Sequence, residues 1–331
     1  MSGSQDANPA GAGGLGAGGS SASASAGPAG GSAALGAAAS RSGEAGAGAI
    51  NLVMGAGGSG GDLIELPDAG APLLADAGDA GTARDAGDAG FSRQQLNCAP
   101  SDRANCNVLV TALRHRYRLG GTGTNALDDV AGASGRVVQA QLSGTGSVEL
   151  PGNGAYVDLP NGIVSALGSA TFEVWLDWAG GDIWQRIFDF GSTTNGREDE
   201  PGSGSRYLFL TPRAGGDVLR VAFRSPDVEG EVQVNGKAPL PSGVEEHLAV
   251  VVNAQQRTLA LYQDGRLVGS TALSSSLAVL DDVNNWLGRS QFAEDPALSA
   301  DLLEFRIYGA ALSADQIALS FDLGPDAPLT P

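Results

Sequence analysis

Residues 247–271 read HLAVVVNAQQRTLALYQDGRLVGST. Two short apolar runs, His247–Asn253 and Thr258–Gln263, are followed by a third at Arg266–Thr271. Runs of this length, rich in Val, Leu and Tyr and bounded by polar residues, read as β-strands. Between the second and third stands Gln263-Asp264-Gly265-Arg266. Asp-Gly suits a two-residue type I′ hairpin, whose central residues both need positive φ. The stretch therefore predicts consecutive antiparallel strands.

The pattern repeats in both directions. Upstream it predicts strands at Arg114–Leu119, Val137–Leu142, Ser147–Leu150, Tyr156–Asp158, Ala170–Trp178, Arg186–Gly191, Arg206–Thr211, Val218–Arg224 and Glu231–Val234. Downstream it predicts Asn285–Gly288 and Leu303–Tyr308. Only Ser313–Ser320 reads as helix, with Ser313 as its cap. Many short strands with little helix imply an all-β protein, a two-sheet antiparallel jelly-roll sandwich. Trp175 is expected in its core.

The amino-terminal portion differs in kind. All four Trp, five Tyr and nine Phe lie at or after Phe91. Residues 1–92 are dominated by Gly, Ala, Ser and Asp, with Asp-Ala-Gly recurring between Asp68 and Gly90. Such a segment has too little apolar surface to offset its ordering entropy, so a disordered linker is expected. A connecting segment (93–113), a folded domain (114–324) and a flexible end (325–331) complete the expected organisation. Cys98 and Cys106 flank a short Pro-containing stretch. A disulfide is favoured there over two free thiols, and a zinc site lacks further ligands. Disulfides persist in oxidising compartments, so an extracytoplasmic location is expected, secreted or lipid-anchored at the cell surface. No signal peptide is visible after Met1, and the expectation is that one precedes it.

Charge removes whole classes of partner. The formal net charge is −18, and the tail and the body are both acidic. Nucleic acid and anionic membrane surfaces are disfavoured. No apolar run is long enough to be a transmembrane helix.

Several stretches then carry a resemblance. They are Tyr156–Pro160, Thr171–Trp175, Trp184–Gly191, Tyr207–Leu210, His247–Asn253, Leu261–Gly265, Asn285–Gln291 and Glu304–Tyr308 followed by Ala311–Ser313. In that order they resemble the laminin-G-like jelly-roll domains of the concanavalin-A-like lectin/glucanase superfamily. The resemblance implies the sandwich fold. It does not fix an activity, because this fold carries lectins, glycan-binding modules, hydrolases and adhesion domains. It also implies a Ca²⁺ site drawn from a first-loop acid and acids of the last strand, here Asp128, Asp129, Asp301 and Glu304. Leu303 and Ala300 replace the Asp and Gly expected before the Phe-Arg-Ile-Tyr motif. Any calcium is therefore expected to bind weakly, and no cofactor is required.

Catalytic signatures are sparse. Glycoside hydrolysis needs two carboxylates across the scissile bond. Glu173 with Asp177, and Glu229 with Glu231, are poor matches to the glucanase run of acids. No nucleophile elbow accompanies His115 or His247, which are expected to be structural. Arg186 with Asp189, Arg289, and Glu304 with Arg306 are expected to form ion pairs rather than to face a ligand. The polar loop 192–205 has the composition of a recognition loop or of a tolerated insertion. The expected role is a non-catalytic binding or adhesion module, with a polysaccharide or surface glycan as favoured ligand. A protein–protein or structural surface module is the alternative, and a divergent glycoside hydrolase the second. A row of exposed aromatics on one sheet would favour sugar.

Overall fold

The computed structural model describes residues 98–195 and 202–329. The expected linker over 1–92 and the middle of the 192–205 loop lie outside the described residues. The chain begins with α1 (Arg103–Thr111), β1 (Leu113–Arg118), β2 (Thr122–Gly123), β3 (Asn125–Ala126), β4 (Gly135–Val138) and β5 (Leu142–Ser143). It continues through β6 (Val148–Pro151), β7 (Tyr156–Leu159), β8 (Ala170–Trp178), β9 (Phe188–Thr193), β10 (Gly204–Ala214) and β11 (Val218–Arg224). Then follow β12 (Val232–Asn235), β13 (Glu245–Asn253), β14 (Thr258–Gln263), β15 (Arg266–Ala272), β16 (Asn284–Leu287), β17 (Ser299–Tyr308) and α2 (Ala314–Leu323).

Among the described residues these strands form two antiparallel sheets, as expected of a sandwich. The nine-stranded sheet runs β15-β14-β13-β8-β17-β6-β5-β2, with β1 also paired to β17. The eight-stranded sheet runs β12-β11-β10-β9-β16-β7-β4-β3. Asp264 and Gly265 take φ values of 49° and 72°, the positive pair a type I′ hairpin needs between β14 and β15. The main core lies between the sheets. It takes alternate residues from each strand: Phe172, Val174 and Leu176 of β8, Phe188 and Phe190 of β9, Leu248 and Val250 of β13, Phe305 and Ile307 of β17. That alternation is the period of two inherent in a strand.

A second apolar cluster covers the outer face of the nine-stranded sheet. Leu109 and Leu113 pack with Ala249, Tyr262, Tyr308, Leu312, Ile317 and Leu329 there. So helices form a third, partial layer. Helix α2 appears where predicted, and Ser313 with Gln316 closes a reciprocal capping box. Helix α1 was not predicted. Its Asn and Val residues have weak helix propensity, and the burial of Cys106 and Leu109 overrides it. The Cys98–Cys106 disulfide is present and ties the start of the described chain to this helix.

Two further corrections follow from packing. The single strand expected over Val137–Leu142 is broken at Gln139, whose φ is 57°. Here the chain leaves one sheet for the other, β4 pairing β7 and β5 pairing β6. The end expected to be flexible from 325 is instead fixed through Leu329, which is 1% exposed. The Arg116 guanidinium donates to the carbonyls of Pro325 and Leu329.

Candidate functional site

Core-facing residues of β10 alternate with residues that face outward. Leu208 and Leu210 enter the main core. Tyr207 and Phe209 instead join Ala222 in a separate cluster, with Trp184 and Phe292 packed against it. On this outer face the register aligns Ala222, Phe209, Asp189 and Trp286 across four neighbouring strands. Over the aromatic cluster lies a cavity of about 200 Å³ lined by Trp184, Arg186, Tyr207, Phe209, Glu231, Phe292 and Asp295. A second hollow of about 300 Å³ shares Phe292 and Asp295 and adds Tyr156 and Arg289.

Local backbone features hold the aromatic walls. Trp184 has φ 73°, a left-handed conformation that is strained for a bulky residue. Its amide is fixed by the Arg213 carbonyl at 2.7 Å. Two glycines make room: a Cβ at Gly215 would lie 3.1 Å from the Trp184 ring, and one at Gly204 would lie 2.6 Å from the Phe292 ring. Phe292 sits in a loop turned by Ser290, whose hydroxyl donates to Asp295 and accepts from the Phe292 amide.

The charges beneath this surface are paired. Arg186 is buried, with Asp295 at 2.7 Å and Asp189 at 3.4 Å. Its guanidinium lies 4.0 Å from the Phe209 ring centroid and donates to the Trp184 carbonyl. Arg220 stands 3.8 Å from Glu231 and 5.5 Å from the Trp184 centroid. The Tyr207 hydroxyl donates to Glu231 at 2.7 Å. Burial, and then this carboxylate, raise the Tyr207 pKa, so the phenol stays protonated.

Burial also pushes Asp189 up to about 7, against the opposing pull of Arg186 and the Gln291 amide. Its folded-state pKa thus lies above the ordinary 3.8 of the unfolded chain, and folding takes up a proton between those values. This contribution makes stability fall as pH rises from about 4 to 7. In Asp189→Asn that slope, at most about 1.4 kcal/mol per pH unit, should vanish. Urea midpoints of both proteins across the interval measure it, and identical slopes would refute the raised pKa.

The other charged cluster lies across the sandwich, under α2. Register places Arg306 beside Glu173, and His247 and Glu304 beside Trp175. The Arg306 guanidinium pairs with Glu304, lies 3.8 Å from Glu173 and sits 4.2 Å from the Trp175 centroid. Arg116 donates to both oxygens of Glu304, at 2.8 and 3.1 Å. Ser320 of α2 donates to Glu173 at 2.7 Å. Burial alone would raise Glu173, but His247, Arg306 and Ser320 together hold its pKa below the usual range. Glu173 is fully enclosed and has no access to a substrate; only Asp177 of that pair is partly exposed. Trp175 is buried as expected, but on this outer face and not between the sheets. His247 lies between the Trp175 and Phe321 rings, and His115 bonds Asp128 at 2.9 Å.

The calcium candidates go in different directions. Asp128 accepts the amides of Arg116, Val130, Ala131 and Ala133 as well as His115. Asp129 pairs with Arg118. Glu304 is held by two arginines. Asp301 faces Glu149 and Asp177 across the sheet, and burial, then those two acids, raise its pKa. Among the described residues, no group of three or more His, Cys, Asp or Glu is placed to hold a metal ion.

Arg186 and Asp189 were singled out from sequence as a structural pair. They are that, and Arg186 is also part of the cavity. Trp184, Tyr207, Phe209, Phe292 and Asp295 were not singled out as a site, and Glu231 was weighed only with Glu229 as a poor catalytic pair. The alternation of Tyr207 and Phe209 within an apolar strand was the available signal, since two aromatics two apart share a face.

A family model described as "Concanavalin A-like lectin/glucanases superfamily" matches residues 151–318. No curated protein matches by sequence. Similar solved structures include the CBM40 of a Ruminococcus gnavus IT-sialidase bound to α2,3-sialyllactose. It is 17% identical, with TM-score 0.45, over 52% of this chain and 95% of that one. Another is domain 4 of AbnA, a GH43 extracellular arabinanase from Geobacillus stearothermophilus, in complex with arabinotriose. It is 17% identical, with TM-score 0.45, over 62% and 96% of the two chains. The family match takes in the strands from β7 to β17 and both charged clusters save Arg116 and Ser320, and by it the chain belongs to the concanavalin A-like lectin/glucanase superfamily.

Proposed function

We propose that this protein is a non-catalytic glycan-binding module that works outside the cytoplasm. The observation that carries the reading is the aromatic cavity on the outer face of the eight-stranded sheet. Trp184 and Phe292 stand partly exposed over buried Tyr207 and Phe209, while Glu231 and Asp295 offer hydroxyl acceptors. Sugar rings present C–H faces to aromatics and hydroxyls to carboxylates, so this combination suits them. It also fits a superfamily described by lectins and glucanases. Both carboxylates are already engaged, Glu231 by Tyr207 and Arg220, Asp295 by Ser290 and Arg186. That arrangement supports binding over acid–base catalysis. The Cys98–Cys106 disulfide supports an oxidising compartment.

Trp184→Gly tests the site. Glycine relieves the left-handed backbone while removing the ring. The full chain should bind immobilised polysaccharides in affinity electrophoresis, and the variant should lose at least tenfold in affinity with its thermal midpoint kept. Unchanged glycan binding in the variant would move the site elsewhere. Release of reducing ends from a bound polysaccharide would make the protein an enzyme.

A further inference from the structure

The charge arrangement of the cavity goes further than sugar binding in general. We propose that it selects uncharged sugars over acidic ones; the inference rests on the glycan reading and names the ligand class of that same site. Arg186 is the arginine of the lining; its two terminal nitrogens are engaged, and its Nε is buried away from solvent without a hydrogen-bond partner. Asp295 lies at 2.7 Å, Asp189 at 3.4 Å, the Trp184 carbonyl at 2.6 Å, and the Phe209 ring covers one face. Arg220, behind Trp184, is held by Asn235 at 2.7 Å, by the Gly215 carbonyl and by Glu231. These two cations act as supports on which the Trp184 ring rests, at 5.6 and 5.5 Å.

What remains open to a ligand is acceptor capacity. Glu231 and Asp295 each keep lone pairs beyond the bonds they already accept, since a carboxylate offers about four acceptor sites. A sugar hydroxyl can donate to either. A uronate, sialate or sulfate cannot donate from its anionic group, and it would be placed against two partly exposed carboxylates. Arg224 lies opposite Tyr207 on β11 but is solvent-exposed and outside the lining, where salt screens it. The acidity of the whole chain adds repulsion of the same sign.

The test uses the full chain and two panels at physiological ionic strength, by calorimetric titration. The neutral panel is galactan, arabinan, xylan, mannan and β-glucan; the acidic panel is polygalacturonate, alginate and sialyllactose. At least one neutral glycan should bind, with at least tenfold preference over every acidic one, and Trp184→Gly should abolish that binding. Glu231→Gln keeps an acceptor and removes a charge. It should narrow the preference for neutral over acidic glycans at least threefold, and an unchanged preference would overturn the role of this carboxylate in selectivity. An acidic glycan that binds best, and is lost in Trp184→Gly, overturns the selectivity while leaving the glycan site in place. Silence toward both panels overturns the glycan reading and the selectivity together.

Discussion

Arg306→Met should destabilise the domain by about 3–5 kcal/mol, because removing one partner of a buried charge cluster leaves the others uncompensated. Arg306 is 0% exposed, and Glu173 and Glu304 beside it are equally enclosed. Methionine fills part of the volume but donates nothing. The Gly324 carbonyl loses its donor at the same time, and the Pro325 carbonyl is left with Arg116 alone. Guanidinium unfolding followed by tryptophan fluorescence measures the loss. Arg306→Lys should recover only part of it, since an ammonium cannot reproduce the planar fork. A loss below about 1 kcal/mol would show that the cluster takes up water or a proton when disturbed.

Trp175→Ala should cost a similar amount, about 3–5 kcal/mol, as burial lost plus a cavity left behind. The indole is 2% exposed and packs between Arg306 and His247. Its position under α2 adds a local signature. Hydrogen exchange in α2 should accelerate far more than in β9 or β10, which contact the other side of the core. Uniform acceleration would instead mean that Trp175 supports the sandwich as a whole.

The sandwich was legible because strand periodicity and turn chemistry act locally. Ala170–Trp178, Val218–Arg224 and Thr258–Gln263 match the structure at both ends, and each carries alternating or continuous apolar residues in a short window. Which outward residues stay exposed was not legible. Glu173 and Trp175 share one face of β8 and Arg306 stands beside them on β17, and only α2, which lies far along the chain from β8, decides that this face is covered. The cavity was hidden for the same reason. Trp184 lies on a loop, Tyr207 on β10, Glu231 just before β12 and Phe292 beyond β16, so no sequence window contains them. The charge pairs were half legible: Arg186 and Asp189 are i, i+3 neighbours, but Asp295 joins them through folding alone.

The hydrogen bond from Arg116 to the Leu329 carbonyl joins residues 213 positions apart. A ribosome delivers the chain from its amino end at about 5–20 residues per second. Arg116 therefore emerges some ten to forty seconds before the carbonyl it will hold. Through that interval β8, β13 and β17 are completed one after another with their arginine, glutamate and histidine side chains in water. The outer layer cannot be closed until α2 and the residues after it have been made. The apolar faces of both sheets can meet beforehand, and the hydrated charges keep the unfinished surface from sticking to its neighbours.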